Sequence, residues 1–131
     1  MEGKNMLEVS AGIILRNGRV LLCQRKPASR LGLKWEFPGG KLEAGETPAQ
    51  ALERELREEL NIVTQTKEEY VERMNEDGTI RLHFLFSTII AGEPEAIDCN
   101  AFEWVNPKDL LGYDLAPTDR IVAELLARDG N

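Results

Sequence analysis

Three carboxylates, Glu55, Glu58 and Glu59, fall within five consecutive residues of the run Arg54-Glu55-Leu56-Arg57-Glu58-Glu59. On a helix, at about 100° per residue, they form one stripe beside a second made of Leu52, Leu56 and Leu60. Glu55 and Glu59 are like charges one turn apart, an arrangement that costs an ordinary solvated helix roughly a few tenths of a kcal/mol. Carboxylate oxygens converging on one face suit a hard divalent cation, Mg2+ or Mn2+, which keeps several waters and bridges to substrate phosphates. Arg54, one turn before Glu58, can hold that carboxylate in place. Taken alone, three glutamates describe a surface helix that happens to be acidic.

The residues in front of the helix argue for a site. Phe37-Pro38-Gly39-Gly40 offers two glycines, expected to allow unusual backbone close to a ligand, and Gly45-Glu46 brings a further carboxylate just before the helix. Thr47, Pro48 and Gln50 read as a helix start. The threonine oxygen accepts from first-turn amides, proline occupies the first helical position, and Gln50 reaches back.

Gly40, five residues, Glu46, seven residues, then Arg54-Glu55-Leu56-Arg57-Glu58-Glu59-Leu60-Asn61-Ile62 resembles the Nudix box, G-x5-E-x7-R-E-U-x-E-E-x-G-U with U aliphatic. One fixed position departs, since Asn61 stands where the family has glycine. Asparagine is the next-best residue for a left-handed helix cap, so the turn bears the change and the chemistry does not.

Length and composition fit one domain over residues 1–131: 42% hydrophobic residues suffice for a single core, and the chain is short for two. With 16 Lys plus Arg against 23 Asp plus Glu, the formal net charge is −7, which disfavours binding duplex nucleic acid or an anionic membrane. A small phosphorylated ligand is compatible with that charge when a cation bridges acid to phosphate. Cys23 and Cys99 are too few for a disulfide framework and read as buried reduced thiols of a cytoplasmic protein, a mutual disulfide being the less favoured alternative. The start, MEGKNMLEVS, carries no long apolar run, so neither a signal peptide nor a membrane span is expected.

Along the chain, Leu7 to Leu15 reads as a strand, Asn17-Gly18 as a hairpin turn, and Arg19 to Gln24 as the return strand. Arg25, Lys26 and Arg30 read as a solvated basic patch, or as phosphate or base contacts beside a carboxylate site. Glu69 to Met74 and Thr79 to Ile90 are expected strands around the turn Asn75 to Gly78. In the second, Leu82, Phe84 and Phe86 share a core face opposite Arg81, His83 and Leu85. His83, the sole histidine, is expected to be half-exposed and without ligand partners. Ala101 to Val105 is a short strand, and Asn106-Pro107 starts a short helix ending near Gly112. The C-terminal helix should turn Ile121, Val122, Leu125 and Leu126 inward. By position alone Asp98 is an ordinary loop acid and Asp119 a helix-start acid beside the dipole.

Periodicity alone indicates an α+β arrangement. The family resemblance implies the Nudix fold, a mixed β-sheet sandwiched between α-helices. It also implies Mg2+-dependent hydrolysis of a nucleoside triphosphate to the monophosphate and pyrophosphate. The expected cation ligands are Gly40, Glu55, Glu58, Glu59 and Asp98, with Glu46 assisting through its neighbours. Glu58, Glu59 or Asp98 is expected to serve as base, and Arg54 to organise the acids. Arg25, Gly39, Lys41 and Asp119 are expected at the substrate, Arg25 near the position of a nucleotide-contacting arginine and Asp119 reading the base edge. WEFPGGK and LAPTD are similar to segments of MutT-like and CTP-pyrophosphohydrolase-like enzymes, which implies oxidised purine (8-oxo-dGTP) or pyrimidine (CTP, dCTP) substrates and a monomer or homodimer. The alternatives are a catalytically silent nucleotide-binding module, which would have no need for the repelling Glu55 and Glu59, and a hydrolase of ADP-ribose.

Overall fold

The computed structural model describes residues 6–129. The expectation of no signal peptide concerns in part the first five residues, which lie outside the described ones. The order is β1 (Leu7–Arg16), β2 (Arg19–Gln24), β3 (Trp35–Glu36), β4 (Gly39–Lys41), α1 (Pro48–Leu60), β5 (Val63–Met74), β6 (Ile80–Ala91), β7 (Ala101–Val105), a 3-10 helix (Pro107–Gly112) and α2 (Pro117–Asp129). The sheet runs β3-β2-β1-β6-β5, with β4 added to β1 and β7 to β2. β1 and β6 are parallel and the other pairs antiparallel, so the sheet is mixed, as expected.

Alternation along the central strands divides the core into two layers, because successive side chains leave a strand on opposite faces. Ile13, Val20, Leu22 and Phe84 join Val122, Ala123 and Leu126 of α2. Ile14, Leu21 and Leu85 join Leu52, Leu56 and Leu60 of α1. Each helix therefore seals one face. Asn17 and Gly18 both adopt positive φ, 53° and 76°, the requirement of a two-residue turn whose twist matches the flanking strands.

Several expectations are corrected. Ile121 points outward, 46% exposed, and the inner face of α2 is built from Thr118, Asp119, Val122, Ala123 and Leu126. β5 starts at Val63 rather than near Glu69, because ladder bonds to β6 and the Thr66 N–H donating to Glu53 Oε2 at 3.0 Å extend a stretch with little apolar signal. His83 is buried at 8% exposure. Cys23 is buried, Cys99 only half-buried, and both are free thiols. Among the described residues no helix is long and apolar enough to cross a membrane.

Candidate active site

Helix α1 is fixed at both ends. The Gln50 N–H donates to Thr47 Oγ1 at 3.1 Å while the Thr47 N–H donates to Gln50 Oε1 at 2.9 Å, the reciprocal cap its sequence predicts. At the other end Asn61 is left-handed (φ 56°, ψ 40°), with its N–H donating to carbonyls of the last turn. The side-chain amide of Asn61 also donates to Glu95 Oε2 at 2.8 Å, so the asparagine both fits the cap and ties the following loop to it.

With Leu52, Leu56 and Leu60 locked in the core, the acids and Arg54 emerge along the adjacent stripe. Arg54 joins more groups than Glu58 alone. Its Nε and Nη2 donate to the two oxygens of Glu46 at 2.7 and 3.0 Å, Nη2 also to the Lys41 carbonyl at 2.9 Å, and Nη1 to Glu55 at 3.0 Å and Glu58 at 3.3 Å. A planar fork with five donors can do this and an ammonium cannot. The paired guanidinium, with the Glu43 N–H, holds the Glu46 carboxyl down at about 2.

Glu59 has the opposite environment. Burial, a hydrogen bond with Glu55 and the charges of Glu55, Glu36 and Asp98 push its carboxyl well above the carboxylate range, the expected response of an acid that faces other acids away from water. The loop after β6 closes over this end, with the N–H groups of Ile97 and Asp98 donating to the Glu59 carbonyl at 3.1 and 3.2 Å. The Asp98 carboxylate pairs with Lys26 Nζ at 2.8 Å.

The glycines have a different purpose from the one their composition suggests. Neither Gly39 nor Gly40 has positive φ; both are in β4, paired with Ser10 and Ala11 of β1. A Cβ on Gly39 would lie 1.9 Å from the Ser10 carbonyl oxygen, and one on Gly40 2.3 Å from Glu55 Cδ. Gly40 is the surface against which Glu55 rests.

These elements enclose a cleft of about 1070 Å³. Glu55, Glu59, Gly39, Gly40, Lys41 and Asp98 line one end, and Arg25, Glu36 and Asp119 line it together with apolar Phe37 and Leu82. Arg54 and Glu46 stand behind the carboxylates, and Glu58 is exposed at their edge. Asp119 is buried, its Oδ2 accepting from the Phe37 N–H at 2.9 Å, and burial plus the Glu36 charge push its carboxyl up to about 8. Glu36 is a pocket residue that sequence reasoning did not single out. It pairs with Arg25 Nη1 at 3.1 Å, and burial outweighs that arginine in raising its carboxyl. The signal for it was an acid between Trp35 and Phe37 on a strand whose neighbours are apolar.

A cation whose ligands are hard oxygens fits the carboxylate end. Glu55 and Glu59 lie in hydrogen-bond contact, and Arg54 Nη1 pairs with Glu55 alone of the two at 3.0 Å among the described residues; a metal would offset the mutual repulsion of the pair.

Against known families, residues 6–126 match the NUDIX domain. The chain belongs to the Nudix family. Among its curated relatives are the CTP pyrophosphohydrolase of Escherichia coli K12, 44% identical over 117 residues covering 87% of this chain and 86% of that one, and the 8-oxo-dGTP diphosphatase of Haemophilus influenzae, 36% identical and covering 98% and 97%. Of solved structures, the E. coli ORF135 protein in solution is 39% identical with a TM-score of 0.77, covering 91% of this chain and 86% of that one. A MutT from work on Aliivibrio salmonicida and Vibrio cholerae is 29% identical with a TM-score of 0.73, covering 95% and 99%. The expected Nudix fold and MutT-like assignment hold, and the chain is a Nudix hydrolase, of a family that generally works with a divalent metal.

Proposed function

We propose that this Nudix hydrolase, read as one domain, cleaves a nucleoside triphosphate into the monophosphate and pyrophosphate, with 8-oxo-dGTP and CTP or dCTP as the first substrates to test. The observation that carries this reading is the pairing, in one cleft, of an acid cluster organised by Arg54 with a second buried acid, Asp119, near apolar walls. The relatives named for CTP and 8-oxo-dGTP support the substrate pair.

In this proposal Glu55, Glu58, Glu59, Asp98 and the Gly40 carbonyl hold Mg2+, which when bound would neutralise phosphate charge and lower the pKa of water. Phosphoryl transfer depends mainly on positioning and charge neutralisation, and no protein nucleophile is required. Water forms the new P–O bond, its proton passes to a carboxylate, and the bond to the departing phosphate group breaks. Glu58, Glu59 and Asp98 are the candidate bases; Glu59 is half-buried beside Glu55 while Glu58 and Asp98 are exposed. Lys41 and Gly39, which line the cleft beside Glu55 and Glu59, would meet the phosphate chain. Arg25 and Asp119 would contact the nucleoside, a protonated Asp119 being able to donate as well as accept.

The test is pyrophosphate release, with and without Mg2+, across oxidised and ordinary NTPs and dNTPs, sugar nucleotides and ADP-ribose. Mg2+-dependent release from 8-oxo-dGTP or CTP is expected. Tight nucleotide binding with no release would favour a silent binding module, and selective cleavage of ADP-ribose would move the substrate class.

A further inference from the structure

His83 lies on the α1 side of the sheet, its Cα opposite Ser10 of β1 and Glu72 of β5. Its Nε2 is 2.7 Å from Glu8 Oε1. Its Nδ1 is buried and makes no hydrogen bond, although Glu69 Oε1 lies 3.4 Å and Glu72 Oε1 3.8 Å away. With Nε2 engaged by Glu8, the Nδ1 nitrogen faces the oxygens of two carboxylates. That contact is repulsive unless something positive lies between them.

A β-bulge brings the two acids together. Glu69 pairs with Leu85 and Val71 with Phe84, so Tyr70 is an extra residue without a counterpart on β6. Tyr70 and Val71, consecutive in the chain, both pack toward the α2-side core, and Glu69 and Glu72 consequently share the opposite face with His83. One oxygen from each acid and an imidazole nitrogen lie within 4.8 Å of one another. Ligands 2.0–2.2 Å from a tetrahedral Zn2+ are separated by roughly 3.4 Å, close to the Nδ1 to Glu69 distance. Arg81 Nε forms an ion pair at 3.2 Å with Glu72 Oε2, whereas the oxygen 3.8 Å from His83 Nδ1 is Oε1.

We propose that His83 Nδ1, Glu69 and Glu72 form a binding site for one borderline divalent cation of the Zn2+ type, separate from the carboxylates of α1, with Glu8 fixing the imidazole from behind. One nitrogen and two carboxylate oxygens favour such a cation over Mg2+, which prefers all-oxygen surroundings. The exposed outer sides of Glu69 and Glu72, 41% and 48%, give the ion a route in and leave a fourth position to water. The two carboxylates balance its charge, and the ion would tie β5 to β6 at the bulge.

The single histidine makes the test direct. The untagged, 15N-labelled chain is titrated with Zn2+ in millimolar Mg2+ while long-range 1H–15N correlations of the His83 ring are followed. The expected result is saturation at one equivalent, with Nδ1 taking the metal-bound shift and Nε2 keeping its proton. Glu69→Gln and Glu72→Gln should each weaken Zn2+ binding by at least about tenfold, and Glu8→Gln by about 10–100-fold, with Mg2+-dependent turnover of Glu69→Gln unchanged. Ring signals unmoved by excess Zn2+, binding through Nε2, or equal affinity in wild type and both glutamate variants would each overturn the site, whatever the protein's substrate proves to be.

Discussion

The two ends of the cleft bury acids by different means. At the α1 end Glu46, Glu55 and Glu58 surround one guanidinium, and Glu59 is hydrogen-bonded to Glu55 of the preceding turn. At the Phe37 end Asp119 is buried, its carboxylate accepting from the Phe37 N–H and from its own backbone N–H, while the nearby arginine, Arg25, is engaged by Glu36. The first arrangement is overcharged and exposed along one edge, as a place for cations and phosphates should be. The second holds a carboxyl near neutrality, which suits reading hydrogen-bond donors and acceptors. Rate should therefore depend on the first end and selectivity on the second.

The sharpest way to break this contrast is Glu59→Gln, which keeps the shape and removes the ionisable carboxyl. Mg2+-dependent turnover is expected to fall by about 10²–10⁴-fold, the range for loss of a general base, with circular dichroism unchanged; near-wild-type kcat would remove Glu59 from the machinery. Next comes Arg54→Ala, which frees Glu46, Glu55 and Glu58 from their shared donor. Loss of about 10–100-fold in activity or metal affinity is expected, as for other residues that orient ligands, and titration of Mg2+ against initial rate measures it. Gly40→Ala should act through the same end, because its Cβ would overlap the Glu55 carboxyl carbon at 2.3 Å; the apparent Mg2+ requirement should rise while substrate ranking stays constant.

At the other end, Asp119→Ala should reorder kcat/KM among 8-oxo-dGTP, CTP and dCTP by more than it slows the best of them. An unchanged order would detach Asp119 from base selection. The smallest effect is on stability. The Asp119 carboxyl titrates near 3.8 in the unfolded chain and is pushed up to about 8 in the fold, so the unfolded state releases its proton first as pH rises. Its contribution is fully present below about pH 4 and is lost as pH climbs toward 8. Asp119→Asn stays neutral throughout. The Tm of the variant minus that of wild type should therefore increase between pH 5 and pH 8, and a constant difference would show that Asp119 is ionised in the fold.

Local signals read well where the chain decides its own conformation. The capping box at Thr47, the left-handed Asn61, the Leu52-Leu56-Leu60 stripe and the Asn17-Gly18 turn follow from backbone sterics and side-chain spacing, and each is present. Spacing also brought Glu46 and Arg54 into one unit with the glutamates. Less legible were partners supplied by distant segments. Glu36 becomes a pocket acid only because β3 is laid beside β2 with Arg25 at its end, and Asp119 is buried only because α2 packs over Phe37. The outward turn of Ile121 depends on the angle at which α2 meets the sheet, which a helical repeat leaves open.

What the amino-acid order determines by itself is the helix that carries the acids, its two ends, and the family to which its spacing belongs, since these rest on interactions among residues a few places apart. Tertiary structure alone decided that Gly39 and Gly40 serve close strand and carboxylate contact, and that a bulge at Tyr70 turns Glu69 and Glu72 toward a buried His83. Strict alternation would have put those two glutamates on opposite faces. The physical reason is that register and burial are set by pairing between strands far apart in sequence, where one inserted residue changes which side chains meet.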